Sequence, residues 1–168
     1  ECPQHKQYLP GKKTEYTSST CKNKKEHSMS KSLADPLTLP CGAIISNRLA
    51  KAAMTEGLAT PDGVPTAELE RLYGLWSDGG AGMLLSGNIQ IDRDHLERPG
   101  NVFIDREPDA AMQAALSRWA HAATRNGNHF WAQISHAGRQ TMKMINPHPK
   151  APSPIKLGLP GGQFGEPV

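Results

Sequence analysis

Thr66-Ala-Glu-Leu-Glu-Arg-Leu-Tyr-Gly-Leu-Trp-Ser-Asp-Gly-Gly-Ala-Gly-Met-Leu-Leu-Ser86 carries two structural periods back to back. Leu69, Leu72, Tyr73 and Trp76 fall at i, i+3, i+4 and i+7, which is one apolar face of a helix. Thr66 is placed to cap that helix, Glu68 and Glu70 suit the positive end of its dipole, and Asp78-Gly-Gly80 stops it. Gly82 to Ser86 is then a short apolar run between glycines, long enough for a buried strand and too short for a helix, with Gly87 and Asn88 at its end.

The same alternation continues on both sides. Upstream, residues 36–46 read as a small hairpin turning at Cys41-Gly42, and Asn47 to Thr55 as a small-residue strand ending near Met54. Downstream, a long connection from Arg93 to Arg106 leads to Asp109, a cap for a second helix with Met112, Ala115, Leu116, Trp119 and Ala123 on one face and Gly127 as its C′ residue. Phe130 to Ile134 gives a third strand, and 147–168 is a Pro- and Gly-rich loop. Trp76 and Trp119 are expected in the core. Hairpin, β, α, β, α, β implies an α/β fold built of parallel βαβ units.

Composition narrows the class. The 168 residues are 37% hydrophobic with 16 glycines, which suits a packed core rather than a disordered or collagen-like chain. No run approaches the ~18 apolar residues of a membrane span, and no apolar stretch near the start reads as a secretory signal, so a soluble, cytoplasmic protein is expected. The formal charge of +3 is uneven: residues 1–31 hold seven lysines against three glutamates, and the remainder is nearly neutral. Two units follow, a disordered Lys-rich tail over 1–31 and a folded domain over 32–168, with Met29 a candidate true start. A neutral domain without a basic face argues against nucleic acid. Cys2, Cys21 and Cys41 form no disulfide framework, and no histidine pair has zinc spacing, so no metal is expected.

In parallel α/β folds ligands sit at the carboxyl ends of strands. Thr55, Gly87 and Gln133 stand there, with His136 and Arg139 just beyond, suited either to substrate or to tying strand to loop. A glutamine amide offers a donor beside an acceptor, matching an N–H next to a C=O on a flat ring. Thr55 can donate to a ring carbonyl or nitrogen, and Gly87, Ala52 and Ala53 leave room for a planar body.

Three segments, Ser46-Asn-Arg-Leu-Ala-Lys-Ala-Ala-Met-Thr55, Gly79-Gly-Ala-Gly-Met-Leu-Leu-Ser-Gly87 and Ala132-Gln-Ile-Ser-His-Ala-Gly-Arg-Gln140, resemble in order and separation the N-terminal part of the old yellow enzyme family of FMN-dependent NADH:flavin oxidoreductases. The resemblance implies the first three or so βα units of a (β/α)8 TIM barrel. It implies non-covalent FMN held by Ala52, Ala53, Met54, Thr55, Gly87 and Gln133, with Thr55 near the flavin C4 carbonyl and N5 and Gln133 on the pyrimidine edge. It further implies NADH or NADPH as reductant and an electrophilic alkene or quinone as small-molecule substrate. Ala53 stands where the family often has Pro. The family's His-x-x-His or His-x-x-Asn pair, its proton-donating Tyr and its phosphate-binding Gly-rich segment have no counterpart among these residues, so no residue is assigned as catalytic.

A closed barrel typically needs ~250 residues. The chain is therefore expected to be an N-terminal piece, and the alternative to a flavin enzyme is an incompetent fragment or an interaction piece. Its third strand would be unpaired on one side, which favours association, a homo-oligomer included. A barrel binding a phosphorylated substrate without flavin is a further alternative.

Overall fold

The computed structural model describes residues 31–168. The Lys-rich tail, Met29, Cys2 and Cys21 lie outside the described residues, apart from Lys31.

The leading hairpin forms as expected. β1 (Leu37–Thr38) and β2 (Ile44–Ile45) pair antiparallel, and Gly42 supplies the positive φ, +87°, that the turn requires. The following strand is much shorter than the sequence suggests: β3 is only Ala50–Lys51, and residues 52–55 run on without regular pairing. Helix α1 (Ala67–Asp78) buries Leu69 and Tyr73. Its cap differs from expectation, because Thr66 makes no side-chain cap bond and instead donates its hydroxyl to the Leu58 carbonyl at 2.6 Å.

The second strand, β4 (Met83–Gln90), does not end at Gly87 and Asn88. It continues because both of its edges are paired. β3 and the two-residue β5 (Val102–Phe103) lie parallel along one edge, at opposite ends, and β6 (His129–Ser135) lies parallel along the other. β5 falls inside what reads in the sequence as a plain connection. Two residues are too few for a recognisable pattern. Helix α2 (Ala110–Thr124) starts on Asp109, whose carboxylate accepts the Met112 N–H at 2.8 Å. Its C-cap is Arg125, so Gly127 stands one residue further out than expected, with φ +74°.

The result is a four-stranded parallel sheet with α1 and α2 packed together. Leu69, Tyr73, Leu84, Ile89, Val102, Met112, Trp119 and Ala123 form one buried cluster, with Trp76 and Phe130 against it. Tyr73 is its centre, meeting Trp76, Trp119 and Phe130 at ring separations of 4.8, 5.2 and 5.2 Å. No closed barrel is present among the described residues. Among the described residues β6 pairs with β4 alone, and Trp131 and Ile134 on it are exposed. Among the described residues no helix is long and apolar enough to cross a membrane.

Candidate functional site at the carboxyl ends of the strands

The ladder between β4 and β6 breaks between Leu85 and Asn88. Leu85 is matched with Trp131, yet Asn88 rather than Gly87 is matched with Gln133, so β4 carries one extra residue there, a β-bulge. A bulge leaves backbone groups without strand partners, and two side chains supply them. Ser86 Oγ accepts the Gln133 N–H at 2.8 Å and donates to the Gly87 carbonyl at 2.7 Å. Tyr73 Oη accepts the Gly87 N–H at 2.9 Å.

Beneath the bulge lies a compact polar network. Tyr73 Oη donates to the Glu56 carboxylate, and Lys51 Nζ reaches Tyr73 Oη at 3.1 Å and the Leu85 carbonyl at 2.7 Å. Lys51 also sits 4.3 Å from the centre of the Trp76 ring, a cation–π contact. Burial holds the Lys51 pKa below its ordinary value against the opposing attraction of Glu56. Burial, then Glu56, pushes the Tyr73 phenol well above its own.

Each residue singled out from the sequence has a definite place. Ala52 and Met54 are exposed, and Ala53 and Thr55 half-buried, along the irregular stretch after β3. Gly87 is buried, and the room its missing Cβ leaves is filled by the Met54 carbonyl and the Glu56 carboxylate, so the glycine lets the 54–56 segment lie directly on β4. Gln133 is exposed on β6. Asn88 joins the set: it stands beside Gln133 in register, and its Nδ2 donates to Thr55 Oγ1 at 3.2 Å. Thr55 in the irregular stretch after β3, Asn88 on β4 and Gln133 on β6 thus stand side by side. Strand pairing carries this signal; sequence spacing does not.

Gln90 is a second residue that sequence reading missed. It is fully buried, and neither its Nε2 nor its Oε1 has a partner among the described residues. By strand alternation it shares a face with Asn88. An orphaned amide at a strand's carboxyl end marks a place where water or a ligand is wanted.

The third is a cluster formed across long separations. Asp92, His95 and His136 bring ligand-type atoms within 4.8 Å of one another. His95 Nε2 accepts the Lys150 N–H at 2.8 Å, so Nδ1 carries the ring proton and gives it to Asp92 Oδ2, also at 2.8 Å. That proton occupies the lone pair a metal ion would need. The buried His95 ring also stacks on His136 at 4.6 Å, and its carbonyl accepts the Ala137 N–H. The cluster is a hydrogen-bonded knot between the loops after β4 and β6 and the segment at Lys150. His136 therefore ties strand to loop, one of the two roles its sequence position suggested.

No family model matches the chain. Over 128 residues it is 34% identical to the NADH-dependent flavin oxidoreductase iliE of Hypocrea jecorina, a match covering 74% of this chain and 32% of that protein. Over 122 residues it is 35% identical to the NADH-dependent flavin oxidoreductase nadA of Aspergillus parasiticus, covering 66% of this chain and 27% of the relative. The chain thus spans about a third or less of the curated relatives it matches. In structure it is similar to the old yellow enzyme homologue from Zymomonas mobilis, with a TM-score of 0.66, 25% identity, and coverage of 82% of this chain and 40% of that one. In sequence and in fold the chain is thus similar to NADH-dependent flavin oxidoreductases and to an old yellow enzyme homologue, each of which it covers in part.

Proposed function

We propose that this chain supplies one wall of an FMN site in a (β/α)8 oxidoreductase that uses NAD(P)H to reduce an activated C=C bond, as in an α,β-unsaturated carbonyl. The observation that carries the reading is the row of polar side chains on adjacent segments, Thr55 after β3, Asn88 on β4 and Gln133 on β6, next to the small Ala52 and Ala53. Such a row fits a flat heteroaromatic ring. Gln133 presents a donor and an acceptor in one plane, and Thr55 a hydroxyl.

A bound flavin would supply the redox chemistry, hydride transfer between a nicotinamide and an activated alkene whose second carbon takes a proton from outside this chain. The chain's own part is to bind and orient. Ala52, Ala53 and Met54 would pass along the ring, Thr55 would donate to a ring carbonyl, Gln133 would hold the pyrimidine edge, and Gly87 keeps the 54–56 segment close to β4. The Lys51–Tyr73–Glu56 network fixes the backbone of Gly87 from below.

The test is to purify a full-length version of the protein, with the whole barrel, in the presence of FMN and record its visible spectrum. A yellow protein with stoichiometric flavin that NADH or NADPH bleaches supports the reading, and Gln133→Leu then weakens flavin binding. A colourless protein that takes up no FMN overturns it and favours an interaction piece, consistent with the exposed Trp131 and Ile134 on β6.

A further inference from the structure

The Thr55 hydroxyl has part of its hydrogen bonding committed within the protein. Asn88 Nδ2 donates to Thr55 Oγ1, which uses a lone pair of that oxygen. Among the described residues no acceptor takes the Thr55 proton in return. A hydroxyl held this way is a donor set in one direction: its oxygen is anchored, and its proton is left for something outside the chain.

Asn88 reaches this position because of the bulge. With regular pairing, the residue beside Gln133 would be Gly87, which has no side chain; the extra residue between Leu85 and Asn88 brings an amide there instead. The bulge thereby inserts a positioning side chain between the two residues that face the ligand. We propose that Asn88 is a positioning residue, orienting the Thr55 hydroxyl as a hydrogen-bond donor to a carbonyl of the bound ring. This rests on the flavin reading above.

The choice of asparagine is what the chemistry requires. An aspartate of the same shape has no N–H to give and would accept the Thr55 proton, turning the hydroxyl away from the ligand. A leucine of similar size would neither give nor accept, so the hydroxyl would be free to rotate and would lose only its pre-orientation.

The experiment titrates FMN into a full-length version of the protein and its variants, following flavin fluorescence and the long-wavelength absorption band of the bound flavin. Thr55→Val is expected to weaken binding about tenfold, the size of one lost hydrogen bond. Asn88→Asp is expected to weaken it about as much and to shift the absorption band in the same sense, an effect that loss of packing alone would not reproduce. Adding Asn88→Asp to Thr55→Val should then cost little more, since both act on one hydroxyl. Should Asn88→Asp not fold, Asn88→Leu carries the test, with a loss of about threefold expected from the freed rotation and an unchanged affinity overturning the proposal. If Thr55→Val binds weakly while Asn88→Asp binds as the parent does, the inference fails and the flavin reading stands. If the full-length parent binds no FMN, both fail.

Discussion

Tyr73, in the middle of α1, accepts a hydrogen bond through its hydroxyl from the backbone N–H of Gly87 on β4 at 2.9 Å. A helix side chain thus completes a strand's broken ladder. The bulge deprives the Gly87 N–H of its partner on β6, and the phenol that anchors the aromatic core ends where that N–H needs an acceptor. Core packing and site geometry are one arrangement here.

Tyr73→Phe keeps the ring and removes only this hydroxyl. It strands the Gly87 N–H and takes a partner from both Lys51 and Glu56. The expected cost is about 1–3 kcal/mol, because buried polar groups are left unsatisfied. A lower urea midpoint with an unchanged slope would bear this out. A midpoint equal to the parent's would show that water replaces the hydroxyl at no cost.

Gly87→Ala should be poorly tolerated for a reason unrelated to backbone angles, since Gly87 is not among the glycines with positive φ. The added methyl meets the Met54 carbonyl, which is backbone and cannot rotate aside. Destabilisation of about 1–3 kcal/mol is expected from overpacking. Gly42→Ala is the control, since a Cβ there meets nothing within 4 Å and only the φ of +87° is strained. Thermal unfolding of the two variants compared in parallel would decide whether close approach is the stronger constraint.

Ser86→Ala removes the acceptor of the Gln133 N–H and the donor to the Gly87 carbonyl in a fully buried position. A loss of about 1–3 kcal/mol is expected, accompanied by faster amide hydrogen exchange at Gln133. Exchange at Gln133 as slow as in the parent protein would mean the strand finds another acceptor.

Asp92 gives a pH dependence with a definite sign. Burial raises its pKa, but the Asp94 N–H, His95 and His136 together outweigh this and hold the carboxyl below its usual 3.8. A folded-state pKa below the unfolded one stabilises the protein above the unfolded value, and that stability disappears as pH falls through the folded value. The melting temperature should therefore drop on acidification below about pH 4, and Asp92→Asn should flatten that limb while lowering stability at pH 7. A parallel acid limb in the variant would place the effect elsewhere, Glu166 beside Lys156 being the next candidate.

The elements that repeat at helical period were legible from the spacing of their apolar residues. α1 and α2 each bury a stripe long enough to average over local exceptions, and Asp109 caps as its position foretold. Strand ends were not legible. The end of β4 depends on who pairs with it, and its partners lie at residues 50–51, 102–103 and 129–135. The glycine and asparagine that read as a strand terminator lie inside the strand because β5 and β6 pair beyond them, at Ile89 and Gln90.

Sequence by itself determined the parallel α/β order and the three segments that gather at the strand ends, because periodicity, caps and motif order are local properties of the chain. Tertiary structure decided which side chains stand together there. The one-residue bulge that sets Asn88 beside Gln133, the Tyr73 hydroxyl that repairs it, and the knot of Asp92, His95 and His136 all join residues dozens of positions apart. Such contacts follow from strand register, and register is fixed by the packing of the whole sheet rather than by any stretch of it.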